Sequence, residues 1–248
     1  MAESANAEGS DNPLVRQLES RDHLSDEERQ VLIGSVALTR DIAPHRDLAR
    51  EGDEPGESNI LLEGFAYRYR LLADGRRQIS LFHVPGDFID LHGFLLKRLD
   101  HAIAAAGPCR VGVVPHECLT RITENFPHLT RLLWLSTVVD GAIHREWLAA
   151  MGRRSALGNM AHLFCELFVR LQAVGLVQDQ SFRFPVTQAE LADAMGLSTV
   201  HVNRIAQELR GGGLIAWHGR TVTITDWQRL QAVAEFDPTF LNLAHRGR

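Results

Sequence analysis

Cysteine is scarce in this chain. Cys109, Cys118 and Cys165 are the only three in 248 residues, and their wide spacing fits neither a disulfide framework nor a Cys-x-x-Cys metal knuckle. Each reads as a buried free thiol. Long apolar runs are missing too: no stretch reaches the roughly 18 residues that a bilayer crossing needs. The acidic opening MAESANAEGSDN has neither the basic nor the apolar part of a secretion signal, so a cytoplasmic protein with no membrane partner is expected. Positive charge is not in excess. The net charge is -5, so a nucleic-acid contact has to rest on a local patch rather than a basic coat. A phosphate-binding glycine loop, HExxH and GxSxG are all absent, and no enzyme is expected. The segment HGFLLKRLDH carries two histidines, His92 and His101, with no geometric reason in the sequence to pair.

What the chain does have is apolar material for two modest domains, at 45% hydrophobic and 23% charged residues. Residues 1–12 offer almost nothing to bury and are expected to form a disordered tail. Helical spacing follows from Leu14 through Val31 and Ile33. From about Arg40 the texture changes to short apolar alternations broken by Gly, Pro and Asp, the pattern of strands with tight turns. In GFAYRYRLLADGRRQISLFHVPGDF, Phe65, Tyr67, Tyr69 and Leu71 alternate with Ala66, Arg68 and Arg70. Asp74-Gly75 then supplies a hairpin turn, and Ile79, Leu81 and His83 resume. HAIAAAGPCRVGVVP adds a second set of strands. Residues 13–125 are therefore expected to build an antiparallel β-roll, with its strands between about 40 and 118.

Residues 126–152 read as one long helix, started by Pro127. Leu129, Leu132, Ser136, Val139 and Ile143 keep heptad spacing, while Leu135, Val138 and Ala142 form a second apolar stripe. Two stripes ask for two partners. The first is assigned here to the same helix of a second subunit, with Gly141 permitting close approach.

Residues 153–248 hold the most specific signal. A helix from about Ser155 to Val174 carries Met160, Phe164, Leu167 and Leu171 on one side. Thr187-Gln188-Ala189-Glu190 is a capping box, Gly196 a tight turn, Ser198 a second cap and Gly211-Gly212-Gly213 a stop. These are the parts of a helix-turn-helix. Val202, Ile205 and Leu209 point inward against Leu191, Met195 and Leu197, leaving Thr199, Val200, Asn203, Arg204 and Gln207 outward. LIAWHGRTVTI reads as a two-stranded wing with Ile215, Val222 and Ile224 on its buried face. A polar helix face of this kind fits the major groove of double-stranded DNA, where Arg can pair with guanine and Asn with adenine. The candidate DNA-contacting residues are Ser198, Thr199, Val200, His201, Asn203, Arg204 and Gln207, with His218 and Arg220 at the wing tip. Between Ser181 and Trp227, Arg183, Arg204, Arg210 and Arg220 stand against Glu190, Asp193, Glu208 and Asp226. That balance predicts a shallow salt dependence of binding.

The stretch VTQAELADAMGLSTVHVNRIAQELRGGGLIAWHGRTVTI resembles the winged helix-turn-helix of the Crp/Fnr family of bacterial transcription regulators. The roll with VPGDF and the long helix after it are similar to the rest of that architecture, and the resemblance covers about residues 14–240. It implies an α+β chain: an N-terminal, cyclic-nucleotide-binding-like β-roll, a long dimerisation helix and a C-terminal winged helix-turn-helix. It further implies a homodimer on a pseudo-palindromic operator, in contact with RNA polymerase. Cyclic-nucleotide-binding members follow the Gly-Asp-Phe turn with a Gly-Glu pair and later an Arg-Ser or Arg-Thr pair. Here Gly86-Asp87-Phe88 is followed by Ile89-Asp90-Leu91-His92-Gly93, and Asp100-His101-Ala102 stands near the expected Arg, with Arg98 close by. Cyclic AMP is therefore not expected as the effector, because Asp100 repels a phosphate. Members with an iron-sulfur cluster use four cysteines, largely N-terminal, so that cofactor is not expected either. His45, His83, His92, His101 and His116 leave haem or metal ligation as an alternative, although no metal-ligand set is assigned. A second alternative is a protein-interaction module without DNA affinity. The reading is a DNA-binding transcription regulator with a degenerate sensor pocket and an effector that the sequence leaves unknown.

Overall fold

A computed structural model describes residues 12–243. The expected tail, residues 1–12, falls outside these except for Asn12, whose side chain caps the first helix by accepting from the Leu14 amide at 2.9 Å. Two short helices, α1 (Pro13–Glu19) and α2 (Asp26–Gly34), lead into the roll. One sheet is ordered β1-β7-β3, from Leu38–Ile42, Cys109–Pro115 and Glu57–Glu63. The other is ordered β2-β6-β4-β5, from Asp47–Ala49, Ala102–Ala105, Ala66–Leu71 and Arg77–His83. All pairs are antiparallel, and Leu61, Ile89, Ile103 and Val111 fill the space between the sheets. The short helix α3 (Gly93–Leu96) bridges β5 to β6. Gly86 turns at φ +100°, and a Cβ there would lie 2.7 Å from the Pro13 carbonyl oxygen. Glycine at this point lets α1 close on the β5–α3 turn.

The simple alternation along β4 does not hold. The pairing with β5 shifts register between Arg68 and Tyr69, and Arg68 is buried against Asp140 while Leu71 is exposed. Both faces at the start of the strand are covered, with Ala66 in the roll core and Tyr67 in the larger core.

After the roll comes α4 (His116–Asn125), a helix that the strand-like reading of residues up to 118 overran, and then α5 (Pro127–Arg153). The N-terminal half of α5 packs Leu129, Leu132 and Leu133 against Leu14, Leu18, Leu32, Leu119 and Ile122. Its C-terminal half buries Val139, Ile143 and Trp147 in the larger core. Next follow α6 (Ala156–Ala173), β8 (Ser181–Arg183), α7 (Gln188–Met195), α8 (Thr199–Gly211), β9 (Ile215–His218), β10 (Thr221–Ile224) and α9 (Trp227–Ala234), with a closing 3-10 turn over Pro238–Leu241. The wing is a three-stranded sheet, β8-β10-β9, rather than the two-stranded one expected. The added strand is three residues long, too short to show as a pattern.

The larger core runs without a break from the roll into the helix-turn-helix. Phe184 is its centre: Phe82 of the roll, Phe164 of α6 and Trp217 of the wing lie at ring-centroid distances of 6.1, 5.5 and 5.6 Å from it. Trp147 of α5 meets Phe82 edge-on at 5.8 Å. Burial of such rings contributes about 0.5–1.5 kcal/mol per pair beyond the area term. No described helix is long and apolar enough to cross a membrane.

Candidate nucleic-acid interface

Local chemistry places α7 and α8. The Thr187 hydroxyl accepts from the Glu190 amide at 3.2 Å, and the Glu190 carboxylate accepts from the Thr187 amide at 2.7 Å. Gly196 ends α7 in the left-handed region at φ +66°. Ser198 caps α8 through the His201 amide at 3.3 Å, an arrangement that contributes about 1 kcal/mol. Val202, Ile205 and Leu209 are buried with Leu191 and Met195. The opposite face is open: Thr199, Arg204 and Gln207 are exposed, Val200 is 78% exposed, and His201 and Asn203 are half-buried. Arg204 Nη2 donates to His201 Nε2 at 3.0 Å, holding the guanidinium near the helix N-terminus. At the wing tip His218 and Arg220 are exposed on either side of Gly219, whose φ of +57° makes the turn.

The structure breaks the charge balance seen in the sequence. Glu190 is buried and lies 3.1 Å from His45 Nδ1 on the roll, and Asp193 pairs with Arg77 of β5 at 2.8 Å. Gln78 Nε2 also donates to the Asp193 carbonyl at 2.9 Å. Asp226 caps α9 through the Arg229 amide at 3.0 Å. Arg183, Arg204, Arg210 and Arg220 are all exposed, and Glu208 is the one acid of the four that is fully exposed beside them. The acids of α7 thus tie the helix-turn-helix to the roll, and the arginines are left facing solvent.

The long helix requires a correction. Leu129, Leu132, Val139 and Ile143, assigned to a partner helix, are buried within their own chain, and Ser136 is half-buried with its hydroxyl donating to the Leu132 carbonyl at 3.1 Å. The outward line of the helix shares only Val138 with the second stripe. Trp134 is 69% and Leu148 70% exposed, with Val138 and Met151 exposed and Leu135 and Ala142 half-buried. Trp134, Val138, Gly141, Arg145 and Leu148 follow one another by alternating steps of four and three, the spacing of a helix-helix seam. Neither apolar stripe read from the sequence contains Trp134 or Leu148, and period alone carries no sign of which side faces the protomer's own core.

The sensor side of the roll is polar and crowded. Arg98 donates to the Gly52 carbonyl at 3.2 Å, away from the cleft. Asp90 is buried and accepts from the Asn59 amide and side chain at 2.6 and 2.7 Å; burial nevertheless pushes its carboxyl up to about 6. The guanidinium groups that do reach the cleft are Arg68, held by Asp140 of α5 at 2.8 Å, and Arg70, held by Glu51 at 3.0 Å. His92 and His101, read as unpaired in the sequence, are brought together with ring centroids 4.6 Å apart. Burial, with the Arg68 charge nearby, lowers His92 to about 4 and His101 to about 3. Of the other candidate histidines, His45 faces Glu190, His83 lies 3.6 Å from Asp87, and His116 lies 3.1 Å from the Ser58 hydroxyl. The three cysteines belong to three different places: Cys109 in β7, Cys118 in α4 and Cys165 in α6.

A buried ionic network joins roll and α6. Arg170 pairs with Asp87 at 2.5 Å and Glu166 at 2.8 Å and donates to the Phe82 carbonyl at 3.0 Å. Gln17 of α1 donates to Asp87 at 2.5 Å, and Trp147 donates to Glu166 at 2.8 Å. Burial acts to raise Asp87, but Arg170 and His83 outweigh it and hold the carboxyl well below the usual range. Glu166, more deeply enclosed, is raised by burial despite Arg170. Sequence reading missed this network. Its one local signal is a Glu-Arg pair four residues apart inside the apolar run of α6.

Residues 39–126 match the cyclic nucleotide-binding domain family, and residues 159–233 match the Crp-like helix-turn-helix domain family. The chain is 31% identical to the nitrogen fixation regulation protein FixK of Bradyrhizobium diazoefficiens over 179 residues, 70% of this chain and 72% of that protein. It is 25% identical to the transcriptional activator protein FnrL of Cereibacter sphaeroides over 209 residues, 83% of this chain and 84% of that one. The fold resembles the solved structure of FixK2 from Bradyrhizobium japonicum, with a TM-score of 0.71 at 24% identity over 80% of this chain and 97% of the other.

Proposed function

The chain belongs to the Crp/Fnr family of bacterial transcription regulators, with a sensor domain and a DNA-binding helix-turn-helix, and from that membership we propose a cytoplasmic homodimer that reads a pseudo-palindromic operator and touches RNA polymerase. The sensor occupies residues 13–125, the dimerisation helix 126–152 and the winged helix-turn-helix 153–248. The observation that carries the reading is the open face of α8, capped, packed on α7 and flanked by four exposed arginines. Two such faces one helical turn of DNA apart fit the two halves of an operator. Because the acids of α7 are taken up by the roll, binding is expected to fall more steeply with salt than the neutral sequence count predicts. Selection of sites from random duplex DNA by the purified, ligand-free protein tests the reading. A two-fold motif supports it, and recovery of no motif refutes it.

Arg204 is assigned to a guanine and Val200 to the methyl group of a neighbouring thymine, with Asn203 toward adenine. Arg204→Ala is expected to lose about 1–3 kcal/mol per half-site and to relax preference at one base. An equal loss on all sequences would reduce Arg204 to a phosphate contact. Val200→Glu, at a position too exposed to disturb the fold, is expected to turn one A·T preference toward C·G, since a carboxylate accepts from cytosine N4 and valine cannot. Identical selected motifs for the two proteins mean that α8 docks in another register.

Cyclic AMP is not its effector in this reading. Asp100 and Asp140 both line the cleft, and the two guanidinium groups reaching it, Arg68 and Arg70, are already engaged by Asp140 and Glu51. Calorimetric titration is expected to show no binding, and micromolar binding coupled to tighter operator binding overturns the point.

A further inference from the structure

We propose that His92, Asp100 and His101 form a binding site for one divalent first-row transition-metal ion in the sensor cleft. The proposal rests on reading the roll as a sensor and assigns that sensor a ligand class.

The fold assembles the site from a short piece of chain. His92 stands at the N-terminus of α3, and Lys97, in the left-handed region at φ +65°, ends that four-residue helix and turns the chain back toward β6. His101 thereby returns beside His92. One nitrogen of each ring and one Asp100 carboxylate oxygen all lie within 4.8 Å of one another, and no other histidine, cysteine and carboxylate group among the described residues meets that condition. Two imidazole nitrogens suit a first-row dication and leave coordination positions open, with Asp100 orienting the His101 ring from its other nitrogen.

The hydrogen bonding says which atoms are available. His101 Nδ1 lies 2.6 Å from the Asp100 carboxylate, so the ring donates there and keeps its lone pair on Nε2. That nitrogen is buried and has no hydrogen-bond partner, and His92 Nε2 is in the same condition. Buried polar atoms are rarely left unmade. A carboxylate orienting one ring nitrogen while the other is free is the arrangement that metal-ligating histidines show. Asp100 is itself exposed, which gives an ion a way in from solvent.

The surroundings favour a cation over an anion. Arg68 and Arg70 line the same cleft of about 480 Å³, but Asp140 holds Arg68 at 2.8 Å and Glu51 holds Arg70 at 3.0 Å. An anion placed between Arg68 and the two rings would face both Asp140 and Asp100. A metal ion between the rings instead gains the negative charge of Asp100 behind the His101 ring and leaves the Arg68–Asp140 pair intact. Asp140 and His144 of α5 line the cleft as well, so an ion there sits between the roll and the long helix.

The test uses the purified full-length chain stripped of metal, Zn²⁺ in competition with a chromogenic chelator, and Co²⁺ followed by its visible ligand-field absorption. One ion per chain is expected. His92→Ala and His101→Ala should each weaken Zn²⁺ affinity by about 10–100-fold, Asp100→Asn by about tenfold, and the double histidine variant should lose the Co²⁺ bands. His23→Ala, at an exposed histidine far along the chain from the cleft segment, is the control and should bind as the parent does. Thermal melts of the metal-free variants check the fold, and His92→Gln with His101→Gln replaces the alanine pair if those melts collapse. No ion retained by the parent protein, or equal retention by the double variant, overturns the site. Operator binding is measured separately by gel shift: an intact shift with no metal binding rejects this inference alone, whereas a missing shift with metal bound rejects the regulator reading alone.

Discussion

Arg170→Leu is expected to cost about 3–5 kcal/mol of folding stability, because it leaves two buried carboxylates without their cation. Arg170 is 8% exposed, and Asp87 and Glu166 both depend on it. The pH dependence identifies the cause. In the parent protein Asp87 is held below its unfolded value, so its pairing stabilises the fold above the ordinary carboxylate range and is lost as pH falls through the folded value. Without Arg170 burial becomes the dominant influence on Asp87, and its folded value rises above the unfolded one. Stability then improves as pH drops from neutral, since protonation removes the unpaired charge. The gap between parent and variant in urea unfolding is thus expected to narrow from pH 7 to pH 5, and Asp87→Asn added to Arg170→Leu should recover part of the loss at neutral pH. A gap that stays constant with pH, and a double variant that is no better than the single, show that packing of the arginine stem rather than its charge carries the effect.

This network also ties Asp87, on the turn between β5 and α3, to α6, which carries the helix-turn-helix. Together with His45 on Glu190 and Arg77 and Gln78 on Asp193 it links the roll to the DNA-binding part by polar contacts, alongside the ring cluster at Phe184. A ligand that moves the roll therefore has a mechanical route to α8, through Asp87–Arg170 to α6 and through Asp193 to α7. The position of α7 on the roll follows from the same contacts, and no local pattern marks them because each joins residues more than 80 apart.

What was legible in the sequence is what local chemistry decides. The Thr187–Glu190 box, the Ser198 cap, the Gly196 turn and the Asp74-Gly75 hairpin act over three or four residues, and each stands where it was read. The outward face of α8 follows from helical period once those caps set its ends. Tertiary choices were not legible. Period alone could not say which side of α5 faces its own core, nor that Arg68 of β4 would be buried against Asp140. His92 and His101 meet only because α3 folds the intervening chain back on itself.

The stripe on α5 leads to the second large effect, which separates two assignments of the dimer seam. Leu148→Glu is expected to leave the protomer folded, since that side chain is 70% exposed, yet to place like charges across a two-fold seam where each copy meets itself. The protein should sediment as a monomer. Operator binding should weaken by about 10²–10⁴-fold, because each half-site then binds alone and the effective concentration supplied by the partner is lost. Trp134→Glu, on the same stripe, should behave alike. Val139→Glu is the contrast. Val139 is 4% exposed in the larger core, so a carboxylate there has no partner and the whole chain should lose stability before any question of dimerisation arises. Thermal melts and sedimentation of the three variants decide between the seams. A folded monomer from Val139→Glu, with Leu148→Glu still dimeric, returns the seam to Leu129, Leu132, Ser136, Val139 and Ile143 and means that α5 rotates about its axis when two copies meet.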